Sequence, residues 1–170
     1  LLTTGQADEA QRLLEQTLKL ESNSSDLYAL LAIIAVVQND KTQALEYVTR
    51  AVSLNPQSVT ALLAQSYVQQ AHFDLEAALD SVSKALEYNA QQALTWARLA
   101  ELQMSLGQLE RALKAAQQAV KLQPDLAKTQ TVLGFAYLLQ IDTQTARDIF
   151  HRAIALDQAD PMPRLGMVLR

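Results

Sequence analysis

The sequence predicts an all-α protein assembled from one repeated pair of helices, and three observations carry that prediction. The chain is rich in Ala, Leu, Gln, Glu and Lys, all good helix formers, and holds only 4 Gly and 4 Pro in 170 residues, so long uninterrupted elements follow. Ala recurs at Ala10, Ala44, Ala78, Ala112 and Ala146, each step being 34 residues. A second ladder, Thr17, Ala51, Ala85, Ala119 and Ala153, keeps the same step seven positions later. Seven residues make about two helical turns, so both ladders share one helix face. Small side chains recurring there let another helix approach closely, and a period of this length makes each unit a helix, a tight turn and a second helix.

The punctuation keeps the same period. Gly5, Asn39 and Gly107 share one register, where a chain leaves a helix through a left-handed residue. Asp40, Asp74 and Asp142 follow one place later and are suited to cap the next helix. Pro56 and Pro124 each follow an apolar helical run that proline helps to stop. Taken in order, residues 1–24 form a partial unit, chiefly a second helix. Complete units are expected at 25–58, 59–92, 93–126 and 127–160, and a further first helix begins in 161–170, all in one solenoid domain. The first helix of unit 25–58 is the apolar run LYALLAIIAVV, Leu27 to Val37, set between Ser25-Asp26 and Gln38-Asn39-Asp40. Its eleven residues fall short of the roughly 20 that cross a bilayer. Around Pro161 and Pro163 the Leu165-Gly166 pair arrives two residues early, so this last unit is expected to be bent or atypical. The chain opens without Met and stops inside a fresh apolar pattern, Arg164 to Leu169. It therefore reads as a piece of a longer protein, in which an absent leader carries no information.

Composition narrows the function classes. Apolar residues make up 49% and charged residues 19%, a globular balance. The net charge of −4 shows no basic cluster, which argues against a nucleic-acid partner. There is no Cys, hence no disulfide, thiolate nucleophile or Cys-type metal site. His72 and His151 stand far apart, neither with a second His at i+4, and read as solvated or turn residues. No G-x-G-x-x-G, phosphate-loop, H-E-x-x-H or G-x-S-x-G pattern occurs. The expectation is a protein that is no enzyme and carries no metal or cofactor. Glu46 with Arg50, Asp80 with Lys84, and Asp148 with Arg152 recur as acid-before-base pairs, the ordinary stabilisers of an exposed helix face.

Trp96 and Leu99 in one unit, Leu133, Gly134 and Tyr137 in another, and Ala146, Phe150 and Ala153 in a second helix resemble the signatures of the tetratricopeptide repeat family. The resemblance covers residues 1–160 in register. Tyr28 and Leu62 depart from it where Trp is usual, Gln65 where Leu is usual, and Gln130 also fills the Trp slot, where looser packing is expected. The resemblance implies a right-handed superhelix whose first helices line an inner groove and whose second helices form the outside. By register the groove is lined by Ala29, Ile33 and Val36; by Leu63, Tyr67 and Gln70; by Ala97, Arg98, Glu101 and Met104; and by Thr131, Phe135 and Leu138. Ile33, Tyr67, Glu101 and Phe135 occupy one equivalent place. The family's carboxylate clamp for chaperone tails wants Lys and Asn where Ala29, Ile33 and Ala64 stand; Arg98 alone matches, so that ligand is not expected.

An apolar groove of this kind suits a protein or peptide partner with an apolar or amphipathic segment. A scaffold for such a partner is the leading expectation. Alternative covers for the groove are superhelical curvature, a flanking repeat or a second copy, making a homo-oligomer. The alternative role is a structural spacer or self-association module of a larger protein, of the bacterial envelope or secretion type or linked to a glycosyltransferase. The Gln- and Ala-rich, Lys-poor style is in keeping with a bacterial source. Cytoplasm and periplasm both remain open.

Overall fold

The structure, a computed structural model, describes residues 4–168; the two chain ends on which the truncation reading depends lie outside them. The described residues form ten helices: α1 (Thr4–Leu20), α2 (Ser25–Val37), α3 (Lys41–Leu54), α4 (Val59–Ala71), α5 (Leu75–Tyr88), α6 (Ala93–Ser105), α7 (Leu109–Leu122), α8 (Ala127–Leu139), α9 (Thr143–Leu156) and α10 (Met162–Val168). The protein is all-α. First helices α2, α4, α6 and α8 each have 13 residues, and second helices α3, α5, α7 and α9 each have 14. The chain divides into two compact units, Leu1–Asn89 with α1 to α5 and Ala90–Arg170 with α6 to α10.

Local chemistry explains where the helices begin. The side chains of Asp40, Asp74 and Asp142 accept from the amides of Gln43, Ala77 and Thr145 at 3.0, 3.0 and 3.1 Å, each satisfying an amide that the helix itself leaves unpaired. Ser24 and Ser58 cap α2 and α4 in the same way. Gln108, at the equivalent place before α7, makes no such bond.

The turn inside each pair is a left-handed exit. Asn39 and Gly107 have φ of 60° and 71°, as their register predicts. Phe73 (φ 64°) and Ile141 (φ 66°) hold the same place, which composition did not suggest. In all four turns the next amide reaches back across the exit: Asp40 to Ala35, Asp74 to Gln69, Gln108 to Gln103 and Asp142 to Tyr137, at 2.8–3.1 Å. This is the six-to-one bond that closes a helix end. Gly5 departs from its expectation, because it lies within α1.

Packing follows the ladders in α3, α5, α7 and α9, whereas in α1 Ala10 is half-buried and Thr17 exposed. Ala44, Ala78, Ala112 and Ala146, and Ala51, Ala85, Ala119 and Ala153, are all buried. In the first unit Ala29, Ala32 and Ala35 of α2 meet Ala44, Val48 and Ala51 of α3 and Ala61, Ala64 and Val68 of α4 in one core. Nearly every contact there is made by Ala or Val, so the three helices pack at short range. In the second unit the core is coarser. Phe150 of α9 is fully buried, with its ring wedged between Gly134 of α8 and Gly166 of α10; a methyl carbon on either glycine would overlap it. Gly166 follows Gly134 by 32 residues rather than 34, yet both glycines seat on one ring. The seven-residue α10 thus closes on α9 despite the slip at Pro161.

In the second unit both occupants of the Trp slot make the same hydrogen bond. Trp96 Nε1 donates to the carbonyl of Ala90 at 2.8 Å, and Gln130 Nε2 donates to the carbonyl of Pro124 at 2.7 Å. Gln130 is buried. The looser packing expected there is replaced by the same six-residue tether.

Candidate partner-binding site

The candidate groove residues sit on first helices, and each compact unit carries its own share. In the first unit Ile33 and Val36 are half-buried against the core cluster, and Leu63, Tyr67 and Gln70 of α4 are half-buried as well. Ala29 corrects its expectation. It is fully buried in the core, because a side chain this small lets α4 approach α2, and it offers nothing to a groove.

In the second unit the same faces enclose a cleft of about 300 Å³. Glu101, Met104 and Ser105 of α6 form one wall and Lys128, Thr131, Val132, Phe135 and Leu139 of α8 another, while Asp160 and Met162 close the end at α10. Glu101, Met104 and Phe135 thus share one cleft. Four expected neighbours are placed differently. Ala97 is fully buried. Thr131 reaches the wall, but it too is buried, and its hydroxyl donates back to the Ala127 carbonyl at 2.9 Å. Leu138 turns away into a separate depression of about 280 Å³, shared with Thr143, Ala146, Arg147, Phe150, Gly166 and Met167. Its neighbour Leu139 takes the cleft position, since one residue along a helix rotates the side chain by about 100°.

Arg98 is the fourth. It is only 3% exposed, and its Nη1 lies 3.3 Å from Glu101 Oε2. A guanidinium withdrawn from water needs such a partner, so Arg98 is a support for Glu101 rather than an open cation. The other Glu101 oxygen accepts from Lys128 Nζ. Glu101 therefore stands fixed between two cations, where the equivalent positions carry Ile33, Tyr67 and Phe135. Phe135 in turn meets Phe150 edge-on, with ring centroids 5.1 Å apart. The result is a mainly apolar cleft, with a neutralised charge group at one end and rigid aromatic backing. Asp160 and Met162 were not legible as cleft residues, because the slip around Pro161 breaks the 34-residue register that located the others.

Among the described residues no group of His, Asp and Glu is placed to hold a metal ion. His72 caps the C-terminus of α4 in the exposed turn. No helix among the described residues is long and apolar enough to cross a membrane.

Comparison with known proteins gives a consistent picture. Two models of the tetratricopeptide repeat match the chain, over residues 1–66 and 93–126. A search of curated proteins yields no match. Among solved structures, TTC0263, a thermophilic TPR protein of Thermus thermophilus, superposes with a TM-score of 0.83 at 20% identity, over 96% of this chain and 90% of that one. The Cut9–Hcn1 hetero-tetramer of the APC/C gives 0.79 at 20% identity, over 96% of this chain. This chain spans only 33% of the length of its match in that assembly. YrrB, described as a TPR protein with an unusual peptide-binding site, gives 0.65 at 16% identity, over 97% of this chain and 85% of that one. At these identities the shared property is the fold.

Proposed function

The chain belongs to the tetratricopeptide repeat family, and from that premise we propose that it is a protein-binding scaffold whose second unit takes an apolar segment of a partner into the cleft between α6, α8 and α10. The observation that carries the reading is the lining itself. Met104, Val132, Phe135, Leu139 and Met162 converge on one cleft, and Leu139 and Met162 within it remain exposed at 48% and 37%. Concave, largely apolar sites with a few fixed polar groups are the usual form of a recognition site. Arg98 and Lys128 neutralise Glu101, so an uncharged anchor can enter without stranding a carboxylate. Ile33, Val36, Leu63, Tyr67 and Gln70 are the candidate contacts of the first unit, taken by itself. The peptide-binding site reported for YrrB supports peptide recognition by this fold.

The test uses amphipathic peptides selected from a display library against the intact chain. Leu139→Arg places a charge on the cleft wall at a half-exposed position and should abolish capture while the helical circular dichroism and melting temperature stay unchanged. Phe135→Arg and Tyr67→Arg are companion variants. Phe135 also supports Phe150, so its melting curve must be read beside its binding. Undiminished capture by all three variants would overturn the assignment.

A further inference from the structure

We propose that the cleft of the second unit is a methionine-oxidation site, at which a hydroperoxide converts Met104 and Met162 to sulfoxides and thereby shuts the cleft to apolar segments. The inference rests on the cleft being the binding site argued above.

The chain has 3 Met and no Cys, so thioether sulfur is its most readily oxidised side-chain group. Two of those three methionines stand on the walls of one cleft, Met104 from α6 and Met162 from α10. The third, Met167, lines the neighbouring depression with Leu138 and Phe150. Met162 is 37% exposed and Met104 half-buried, so peroxide reaches both from the open side.

The chemistry balances without help from the protein. The thioether sulfur attacks one peroxide oxygen; an S–O bond forms as the O–O bond breaks. Sulfur gives up two electrons, and the departing oxygen takes a proton and leaves as water or an alcohol. Each event places one strongly accepting oxygen beside Val132, Phe135 and Leu139. In this cleft the Ser105 and Thr131 hydroxyls already donate to the Glu101 and Ala127 carbonyls, and Lys128 to the Glu101 carboxylate. An apolar segment lying over that oxygen would bury it with no donor, which is the costly way to leave a polar group. Methionine was serving there as an adaptable apolar filler, and the sulfoxide is polar, bulkier and chiral. Reversal takes two electrons and two protons from an external thiol-dependent sulfoxide reductase, which returns the thioether and releases water.

The experiment treats the intact chain with hydrogen peroxide, locates added oxygen by peptide-mapping mass spectrometry, and titrates the neutral solvatochromic dye Nile red before and after. Met162 should oxidise first, and Nile red affinity should fall about tenfold or more once Met104 and Met162 both carry oxygen. The double variant Met104→Leu/Met162→Leu, whatever its own starting affinity, should show the same affinity before and after peroxide. Met167→Leu should stay as sensitive as the parent. Sulfoxides at Met104 and Met162 with unchanged dye affinity would overturn the inference, as would loss of affinity that persists in the double variant. Failure of the unoxidised chain to bind Nile red, or binding unaffected by Leu139→Arg, would instead overturn the cleft assignment beneath it.

Discussion

Gly134→Ala tests the packing that backs the cleft, because two effects of known size oppose each other there. Gly134 lies inside α8, and replacing a mid-helix glycine by alanine gains about 1 kcal/mol of helix propensity. Against this, the new methyl overlaps the Phe150 ring, standing 2.6 Å from Cδ1 and 3.0 Å from Cζ. The ring can retreat only toward the depression of about 280 Å³ that it lines. Gly166 bounds it on another side, Phe135 meets it edge-on at 5.1 Å, and it is fully buried. Overpacking a core costs about 1–3 kcal/mol. Overlap with three ring atoms outweighs the partial relief the depression offers, which puts this site in the upper half of that range. The net expectation is a loss of about 1–2 kcal/mol, read as a lowered urea midpoint at unchanged slope. Phe150→Leu should relieve the clash, so the double variant should lose less than the sum of the two single losses, with a coupling of about 1 kcal/mol. Gly5→Ala is the control, since a methyl there meets nothing within 4 Å; it should be neutral or slightly stabilising. A Gly134→Ala protein as stable as the parent, or single losses that simply add, would refute the wedge.

The remaining predictions concern helix ends and one ionisable group. Ile141 is 85% exposed and holds φ 66°, a conformation that costs an ordinary residue roughly 1–2 kcal/mol. Ile141→Asn, matching Asn39, should therefore raise stability by about 0.5–1 kcal/mol, and a lowered melting temperature would show that the isoleucine makes contacts worth more than its strain. Gln108→Asp should supply the cap present at Asp40, Asp74 and Asp142, for a gain of about 1 kcal/mol in chemical denaturation; Gln108 Oε1 is buried without a partner. The Tyr47 hydroxyl is held above its ordinary pKa, first by burial and then by the Glu15 carboxylate. The folded chain thus keeps that proton more tightly than the unfolded one, and the stability gained is complete below the ordinary tyrosine range and lost as pH rises through the raised value. Tyr47→Phe should flatten that alkaline decline, and an unaltered denaturation profile across alkaline pH would count against it.

What was legible in the sequence is what the backbone imposes by itself. The Ala ladders announce helix-on-helix packing because any larger side chain would push the helices apart. The Asp caps are visible because a cap acts within three residues of its own position. Side-chain direction was less legible. Ala29 and Ile33 are one turn apart, and only the proximity of α4 decides that Ala29 is core. Leu138 and Leu139 are adjacent, and only helix rotation assigns the second to the cleft. The turns show the limit of composition more sharply. Glycine and asparagine were expected at the left-handed exit, yet Phe73 and Ile141 adopt it, because the amides of Asp74 and Asp142 bond back to the carbonyls of Gln69 and Tyr137. That bond belongs to the main chain, so the flanking helices can hold it closed around an unfavourable residue. Gly5 is the converse: it is the permissive residue, but it lies within α1 rather than in an exit turn. Trp96 and Gln130 complete the argument. They share no size or hydropathy, but each carries an N–H that reaches a carbonyl six residues back. In the second unit the slot is thus held by a donor at that reach, so Gln130 keeps the tether where the tryptophan is absent. In the first unit the slot is instead filled by packing, with Leu62 buried and Tyr28 set against the core.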